Sequence, residues 1–300
     1  MFPHREMTLV PTAQCPLCCS QHSSRHFSER GYDLMQCQTC ELFFVHPYPE
    51  SANGHHEIVS SYAYENLEIL DARRHYDGEV AFYRDYFPLI DRECDGAASF
   101  LDVGCGTGHL LERLSRPGLY RAGIELNRER AILAREIAKC DIFEVPLEKL
   151  AAGRSFDVIT MVNVFSHIPA PRDFLPKVRS LLSPQGKLII KTGEVSNRVK
   201  KRVVHDWGIP DHLQFLGLGT LEYLCKTYGF RIESRRRVPL SHEMFAPSAW
   251  RTDGRSALRN VIKAIVVRTP LALPLLARCY EAVHHKSVWS SFIVLMQDSD

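Results

Sequence analysis

A glycine-rich turn between a strand pattern and a helix pattern constrains this 300-residue chain most strongly. Residues 100–109 read FLDVGCGTGH, in which an apolar run is followed by glycines at alternate positions. Glycine lets the backbone turn sharply with its amide groups uncovered. The helical pattern that comes next directs free N–H groups and a positive dipole end toward the same place. The segment therefore predicts a strand, loop and helix that bind a nucleotide-type cofactor.

Strand and helix patterns alternate from residue 100 to residue 192. The predicted strands are 100–103, 121–126, 141–145, 156–162 and 187–192, and the predicted helices are 109–114, 128–139, 147–151 and 171–181. Such alternation is typical of a parallel sheet that helices cover on both faces. We therefore predict a doubly wound α/β domain. Helix 220–228 and strands 230–238 and 288–297 are predicted to follow it.

An acidic residue ends the second predicted strand. Glu125 lies 23 residues after Asp102, a distance that places a carboxylate to accept both ribose hydroxyls of an adenosine cofactor. The glycine loop alone is also explained by the steric needs of a tight turn. Loop and carboxylate together favour a nucleotide-type cofactor.

Four of the ten cysteines form two CxxC pairs near the N-terminus. Each pair can present two thiolates on one side, and two pairs complete a tetrahedral zinc site. Four unligated thiols would leave both spacings without a reason. Since four cysteines close the coordination sphere, the predicted zinc is structural. Its predicted ligands are Cys15, Cys18, Cys37 and Cys40, beside a hairpin at 25–35 and a strand at 42–45.

Composition indicates an ordinary globular protein with one large domain and a small appendage. The net charge of +2 argues against a dedicated nucleic-acid binder, although it leaves room for a local basic patch. No apolar run is long enough to span a bilayer, and the segment MFPHREMTLV at the N-terminus lacks the apolar core of a signal peptide. We expect a cytoplasmic protein without a transmembrane segment.

Four segments resemble, in order and spacing, the class I S-adenosylmethionine-dependent methyltransferases. They are LDVGCGTG at 101–108, GIEL at 123–126, FDVITMVNVFSHI at 156–168 and LLSPQGKLIIKT at 181–192. A nicotinamide-binding domain usually has GxGxxG, whereas this loop has GxGxG, so a dehydrogenase is a distant second interpretation. The resemblance implies a Rossmann-like, seven-stranded sheet whose last strand is antiparallel.

The resemblance also implies which residues contact S-adenosylmethionine. The loop and the end of its strand would hold the amino-acid part, the second strand end the ribose and adenine, and the fourth strand end the methyl side. The family often has an acidic residue after the third strand, but here only the Leu147 backbone or the Glu148 side chain could meet the adenine amino group. The predicted contacts are Asp102, Gly104, Cys105, Gly106, Glu125, Leu126, Leu147 and Asn163.

The N-terminal segment resembles the zinc-binding leader of a subgroup of these enzymes. The two CxxC pairs are followed by LFFVHP at 42–47, as in bacterial methyltransferases of natural-product and saccharide pathways. In that subgroup a glycine commonly follows the second pair, whereas this chain has Glu41. The resemblance implies a small-molecule or saccharide acceptor, methylated on oxygen rather than carbon.

Two histidines are the candidate bases for removing a proton from the acceptor. His167 follows the fourth strand, at the edge of the sheet where α/β sites open. His212 stands in PDHLQFL and matches the PxHLxF pattern of the zinc-leader subgroup. A hydrogen-bonded structural histidine is the alternative at both positions. Trp207 would line the acceptor opening, and Asn163 would hydrogen-bond the acceptor or satisfy the strand end.

The sequence predicts a zinc-ribbon-like module at 1–48, a linker and cap helices at 49–98 and the main domain at 99–300. An insertion at 239–286 precedes the last strand. It is predicted to be a helical lid, and the alternative is an amphipathic helix that forms a homodimer or lies on a membrane surface. Two other functions remain open: an RNA methyltransferase, since some rRNA methyltransferases also carry a zinc module, and a non-catalytic cofactor-binding adapter.

Overall fold

A seven-stranded sheet dominates the computed structural model of the chain. The structure describes residues 9–10, 13–29, 31–49, 85–151, 153–193, 212–239 and 289–298, together with residues 83, 209–210, 274–275, 277–279 and 282. The predicted cap helices up to residue 82 and most of the predicted insertion therefore lie outside the described residues. In the described part of the chain, no helix has the length and apolar character needed to cross a membrane.

The strands, numbered in chain order, form three sheets. Those outside the main sheet are β1 (Leu9–Val10), β2 (Ser23–Glu29), β3 (Tyr32–Cys37), β4 (Phe43–His46), β5 (Tyr48–Pro49) and β11 (Gln214–Phe215). Those of the main sheet are β6 (Ser99–Val103), β7 (Tyr120–Ile124), β8 (Asp141–Phe143), β9 (Phe156–Val162), β10 (Leu182–Gly193), β12 (Phe230–Pro239) and β13 (Trp289–Gln297).

The main sheet has the spatial order β12-β13-β10-β9-β6-β7-β8. Strands β8, β7, β6, β9 and β10 are parallel to one another, and β13 is antiparallel to both β10 and β12. The predicted doubly wound sheet with an antiparallel last strand is confirmed. Strand order reverses between β6 and β9, and in such sheets ligands bind beyond the carboxyl ends of the strands at this switch point.

The helices cover both faces of this sheet. They are α1 (Phe87–Glu93), α2 (His109–Arg113), α3 (Arg128–Ala138), α4 (Pro171–Leu181) and α5 (Leu218–Tyr228). Helix α4 begins with Pro171, at a position where a backbone N–H would have no partner within the helix. Helix α5 ends at Gly229, which adopts the left-handed conformation. Two single turns of 3-10 helix, at Leu147–Lys149 and Phe165–His167, come after strands β8 and β9.

Successive residues of β6 pack into different cores. Phe100 is buried in the cluster that contains α1, α2 and α3, and Leu101 is buried in the cluster that contains α4 and α5. This alternation follows from the two-residue period of a strand covered on both faces. The predicted bounds 156–162 and 171–181 match the structure.

Two predicted elements differ most from the structure. The helix predicted at 147–151 is only a 3-10 turn, closed by the bond from Lys149 N to Pro146 O at 2.9 Å. Strand β10 begins at Leu182, before the predicted position 187, because the chain pairs with β9 once at Leu182, bulges, and pairs again from Lys187.

The N-terminal segment and the main domain share a sheet and a core. Strands β2, β3, β4 and β11 form an antiparallel sheet. Three of them come from the N-terminal segment, and β11 follows β10 of the main sheet in the chain. Leu34 and Phe44 of this sheet lie in the same buried cluster as Phe165 and Ile190 of the main domain. The division at residue 48 stays a prediction about sequence patterns, and in space the strands on both sides of it are joined.

Candidate active site

The glycine loop lies at the switch point of the main sheet, directly after β6. The amides of Gly104 and Cys105 both donate to the carbonyl of Ile124, at 2.8 and 3.0 Å, which ties the loop to β7. Gly104 has a φ of 71°, and a Cβ there would lie 2.6 Å from Cγ2 of Val164, the residue that follows Asn163 at the end of β9. A side chain at Gly104 would therefore fill the space between two strand ends.

Gly108 ends the loop and begins α2. It has a φ of 84°, and a Cβ there would lie 3.0 Å from Cα of Ala134 in α3. Since a main-chain atom of a helix cannot give way as a flexible side-chain end does, this glycine allows α2 and α3 to pack closely. The loop is thus held from both sides, by β9 and by α3.

Glu125 lies beside this loop, as the sequence predicted. One carboxylate oxygen accepts the Gly106 amide at 3.0 Å, and the other accepts the Asn127 amide at 2.9 Å. Burial raises the pKa of the Glu125 carboxyl, while these amide hydrogen bonds and Arg130 act in the opposite direction. Each carboxylate oxygen has a second lone pair, so the group can also accept hydroxyl donors of a ligand.

The remaining predicted cofactor residues surround Glu125 and the loop unevenly. Leu126 is 49% exposed, which leaves an apolar surface next to the carboxylate. Asp102 is fully buried and accepts a hydrogen bond from Thr160 of β9 at 2.6 Å. Cys105 and Leu147 are also buried, and the side chain of Leu147 belongs to the core on the α4 side. Only its backbone could serve the predicted adenine contact.

The two candidate bases meet in space. His167 ends the 3-10 turn after β9, and His212 precedes β11. Their ring centroids are 4.8 Å apart with the planes inclined by 46°, and the His212 ring lies 5.9 Å from that of Phe215. Both rings are half-buried. Nothing in the sequence predicted that residues 45 positions apart form a pair.

A buried glutamine behind the histidines was missed by the sequence interpretation. Gln214 is fully buried, and its amide nitrogen donates to the carbonyls of Phe165 and Ile168 at 2.9 and 3.0 Å. Its amide oxygen accepts the hydroxyl of Tyr48 at 3.2 Å. The sequence signal for this role was a single amide side chain within the otherwise apolar run LQFL.

Asn163 and Lys191 form a second polar group at the same edge of the sheet. Asn163 is left-handed, with a φ of 58°, and its amide donates to the Lys191 carbonyl at 2.8 Å. The ammonium group of Lys191 donates to Oδ1 of Asn163 at 2.8 Å and lies 5.1 Å from the ring centroid of Tyr86. Lys191 is 2% exposed. A lysine inside the apolar strand LIIKT was the signal that the sequence interpretation did not use.

The four predicted metal ligands form a cluster. The sulfur atoms of Cys15, Cys18, Cys37 and Cys40 all lie within 4.8 Å of one another, and two of the pairs are 3.5 Å apart. A zinc ion bound by four sulfurs at about 2.3 Å would separate them by about 3.8 Å. The cluster therefore fits a tetrahedral zinc ion. Cys19, which is close in sequence, is not a member.

Glu41, which follows the second CxxC pair, contacts helix α5. It adopts the left-handed conformation with a φ of 58°, and its carboxylate accepts the Gly219 amide at 3.0 Å in the first turn of α5. A Cβ at Gly219 would lie 2.6 Å from the carboxyl carbon of Glu41. The carboxylate thus satisfies an amide at the helix N-terminus, where a negative charge is favourable.

The structure therefore places the predicted site residues in two neighbouring groups and a separate metal cluster. Six of the predicted cofactor residues are at the ends of β6 and β7, Leu147 comes after β8, and the histidines and Asn163 are at the end of β9, which is next to β6 in the sheet. Trp207 lies outside the described residues, so its predicted role stays a prediction.

Comparison with known proteins assigns the main domain to a protein family. A family model described as "Methyltransferase domain" matches residues 72–235. A ubiquinone biosynthesis O-methyltransferase of Nitrosococcus oceani is 31% identical over 153 residues, 45% of this chain and 64% of the relative. That of Acinetobacter baylyi is 28% identical over 144 residues, 45% of this chain and 60% of the relative. The matches thus span less than two thirds of the length of these relatives.

A solved structure shares the fold. The crystal structure of the [4+2]-cyclase SpnF has a TM-score of 0.50 and 19% identity, and the match covers 71% of this chain and 82% of that one. At this identity the likeness concerns the fold, and the reaction has to be argued from the residues of the site.

Proposed function

Since the chain belongs to the methyltransferase-domain family, whose model matches more than half of its residues, we propose that it transfers a methyl group from S-adenosylmethionine to a hydroxyl group of a small-molecule acceptor. One arrangement carries this proposal. Glu125 and the glycine loop lie at the switch point of the sheet, and a histidine pair lies at the neighbouring strand end. The first group suits a nucleoside, and the second can accept a proton.

The cofactor side of the site fits an adenosine with a polar tail. Glu125 offers lone pairs to the two ribose hydroxyls, and the exposed side chain of Leu126 offers an apolar surface to the adenine. Gly104 and Gly106 carry no side chain and have positive φ angles, so the turn lets the amino-acid part approach the backbone closely after Asp102. When bound, S-adenosylmethionine supplies a methyl group on a cationic sulfur that departs as a neutral thioether.

The acceptor side of the site has to orient a hydroxyl group and remove its proton. His212 or His167 takes that proton on a ring nitrogen as the acceptor oxygen bonds to the methyl carbon. A second imidazole next to the first can pass the proton on toward solvent. Lys191 donates to Asn163 at the same edge, and when protonated it would favour the ionised form of a nearby hydroxyl. Positioning and proton removal are the whole contribution that such a transfer needs from the protein.

The acceptor is proposed to be a small molecule or a saccharide, methylated on oxygen. The relatives from Nitrosococcus oceani and Acinetobacter baylyi are both named as O-methyltransferases, which favours oxygen over carbon or nitrogen. Arg235, Arg236 and Arg237 are exposed on β12, the edge strand, four positions along the sheet from β6. Charged side chains on an edge strand prevent pairing with other sheets, so these arginines do not require an RNA substrate.

The cysteine cluster is proposed to hold a structural zinc ion. Four sulfur ligands leave no position for water or substrate, and the cluster belongs to the small sheet at the N-terminus. Zinc there would stabilise the turns at both CxxC pairs. A homodimer, a cytoplasmic location and a lid formed by the insertion remain predictions.

Calorimetric titration with S-adenosylmethionine and its product S-adenosylhomocysteine tests the cofactor half. We expect binding by the intact protein and strong weakening in Glu125→Ala. The proposal would be contradicted if the intact protein bound neither ligand, or if Glu125→Ala bound them as tightly as the intact protein does.

A panel of phenols, sugars and hydroxy acids, read by a mass increase of one methyl group, tests the acceptor half. We expect His212→Ala or His167→Ala, whichever removes the base, to lower turnover by roughly 100- to 10,000-fold, the usual contribution of a general base, and the other variant to lower it less. His22→Ala, an exposed histidine near the cysteine cluster, is the matched control and should keep full turnover. Cofactor binding without turnover on any acceptor would favour the adapter function, and unchanged turnover in both variants would leave positioning as the mechanism.

A further inference from the structure

We propose that Gln214 is the positioning residue of this site: its side-chain amide locks the loop of His167 to the strand that comes after His212 and so sets the histidine pair, with Tyr48 locking Gln214 in turn. The inference rests on the proposed function for its catalytic meaning. Its geometric content, that one buried amide fixes the relation between two imidazoles, can be tested without turnover.

The amide nitrogen of Gln214 uses both of its hydrogens on one short turn. It donates to the carbonyls of Phe165 and Ile168, at 2.9 and 3.0 Å. The main-chain amide of Leu213 donates to the carbonyl of Ser166 at 2.7 Å. Three of the four carbonyls in residues 165–168 are therefore held by two adjacent residues, and His167 is part of that turn.

The orientation of the amide group follows from its partners. Both groups that face the nitrogen are carbonyls, which only accept hydrogen bonds, so the NH2 must point to the turn and the oxygen away from it. The oxygen accepts the hydroxyl of Tyr48 at 3.2 Å, and this hydroxyl is also 3.3 Å from the carbonyl of Ile168. Gln214 thus has one geometry that satisfies every partner, and its side chain is fully buried.

The strand that carries Gln214 is itself held by the zinc-binding segment. Gln214 pairs with Phe44 and Phe215 with Phe43, both in β4, which begins three residues after Cys40. The amide of Val45 also donates to the carbonyl of Leu213 at 2.9 Å. The N-terminal module therefore contributes to the active site indirectly, by fixing the residues directly after His212.

Two substitutions separate the amide from the size of the side chain. Gln214→Glu keeps the shape but places carboxylate oxygens against two carbonyls, and Gln214→Leu removes every polar contact. Tyr48→Phe removes a single hydroxyl and leaves both contacts of the amide nitrogen, so it is expected to fold and to show the same effects in weaker form. Gln38→Leu, at an exposed glutamine of the second CxxC pair, is the matched control.

The measurements compare wild type and variants in three ways. Nuclear magnetic resonance of the full-length protein with labelled histidine follows the titration of His167 and His212, each assigned by its alanine variant. Calorimetry measures the affinity for S-adenosylhomocysteine. Methyl transfer to the best acceptor gives kcat, KM and the dependence of kcat on pH.

We expect Gln214→Glu and Gln214→Leu to shift the titration of both histidines and to lower kcat on the order of 10- to 100-fold, as misplacement of a catalytic group by about 1 Å does. The affinity for S-adenosylhomocysteine should stay within about twofold, because no polar contact of Gln214 involves the glycine loop. The pH at which kcat falls on acidification, where the base becomes protonated, should shift in the same variants and stay unchanged in Gln38→Leu.

Unchanged histidine titrations and unchanged kcat in a folded Gln214→Leu would overturn the inference. If that variant does not fold, the same pair of unchanged readouts in Tyr48→Phe would overturn it. Failure of the proposed function is distinguishable, since a wild-type protein that methylates no acceptor would still report the positions of its two histidines through their titrations.

Discussion

Replacing Glu125 by glutamine exchanges one carboxylate oxygen for an NH2 group and so tests whether this carboxylate binds the cofactor. The carboxylate accepts the amides of Gly106 and Asn127 at 3.0 and 2.9 Å, whereas a glutamine amide can accept only one of them and presents its NH2 group to the other. It also removes the negative charge that ribose hydroxyls would meet. A hydrogen bond to a charged group contributes about 1.5–3 kcal/mol, so the affinity for S-adenosylhomocysteine should fall roughly 10- to 150-fold.

The pH dependence of binding has a definite sign. Burial raises the pKa of Glu125 above its ordinary value of 4.5, so between its unfolded and folded pKa the folded state binds more protons. The contribution of Glu125 to the free energy of unfolding therefore falls as pH rises between these two pKa values. Binding of hydroxyl donors needs the ionised carboxylate, and wild-type affinity should therefore decline on acidification at a pH above that of an ordinary glutamate. The affinity of Glu125→Gln should lack this decline.

Calorimetry between about pH 4.5 and 8, a range that brackets a raised glutamate pKa, together with urea unfolding at each pH, measures both effects. Glu129→Gln is the matched control, because it removes the same charge from the exposed first turn of α3, four residues away. Affinity within about twofold of wild type in Glu125→Gln, in a variant that unfolds like wild type, would refute the reasoning that the carboxylate holds the cofactor.

Three further predictions concern the framework around the site. Cys40→Ser should lose bound zinc, measured by metal analysis at one ion per chain in wild type, whereas Cys19→Ser should keep it because Cys19 is outside the cluster. Gly108→Ala should lower the free energy of unfolding in urea by about 1–3 kcal/mol more than Gly118→Ala, since both glycines have a φ above 80° but only Gly108 faces a helix backbone; equal losses would contradict this. Glu41→Leu should lower the thermal midpoint, because α5 loses a cap of about 1 kcal/mol while residue 41 keeps the cost of its left-handed backbone, and an unchanged or higher midpoint would mean that the cap contributes nothing.

The sequence was sufficient wherever the physical cause is local. The apolar run of 156–162 and the apolar stripe of 171–181 specify a buried strand and an amphipathic helix from short-range pattern alone, and the structure has both at the predicted bounds. The glycine loop, Glu125 and the two CxxC pairs were readable for the same reason, since each motif needs particular residue types at fixed short spacing. The roles of the individual site residues remain predictions for calorimetry and turnover measurements to test.

The tertiary structure alone decided how these local units meet. A two-residue strand such as β11 has no period to detect, yet it joins the N-terminal sheet to the main domain and brings His212 to His167. The partners of Gln214 are more than 40 residues away in sequence, and their approach depends on the path of the whole chain around a shared core. The cofactor prediction therefore came from short-range motifs, the glycine loop and Glu125, while the pairing of His167 with His212 required contacts between distant segments, whose register a linear pattern does not record.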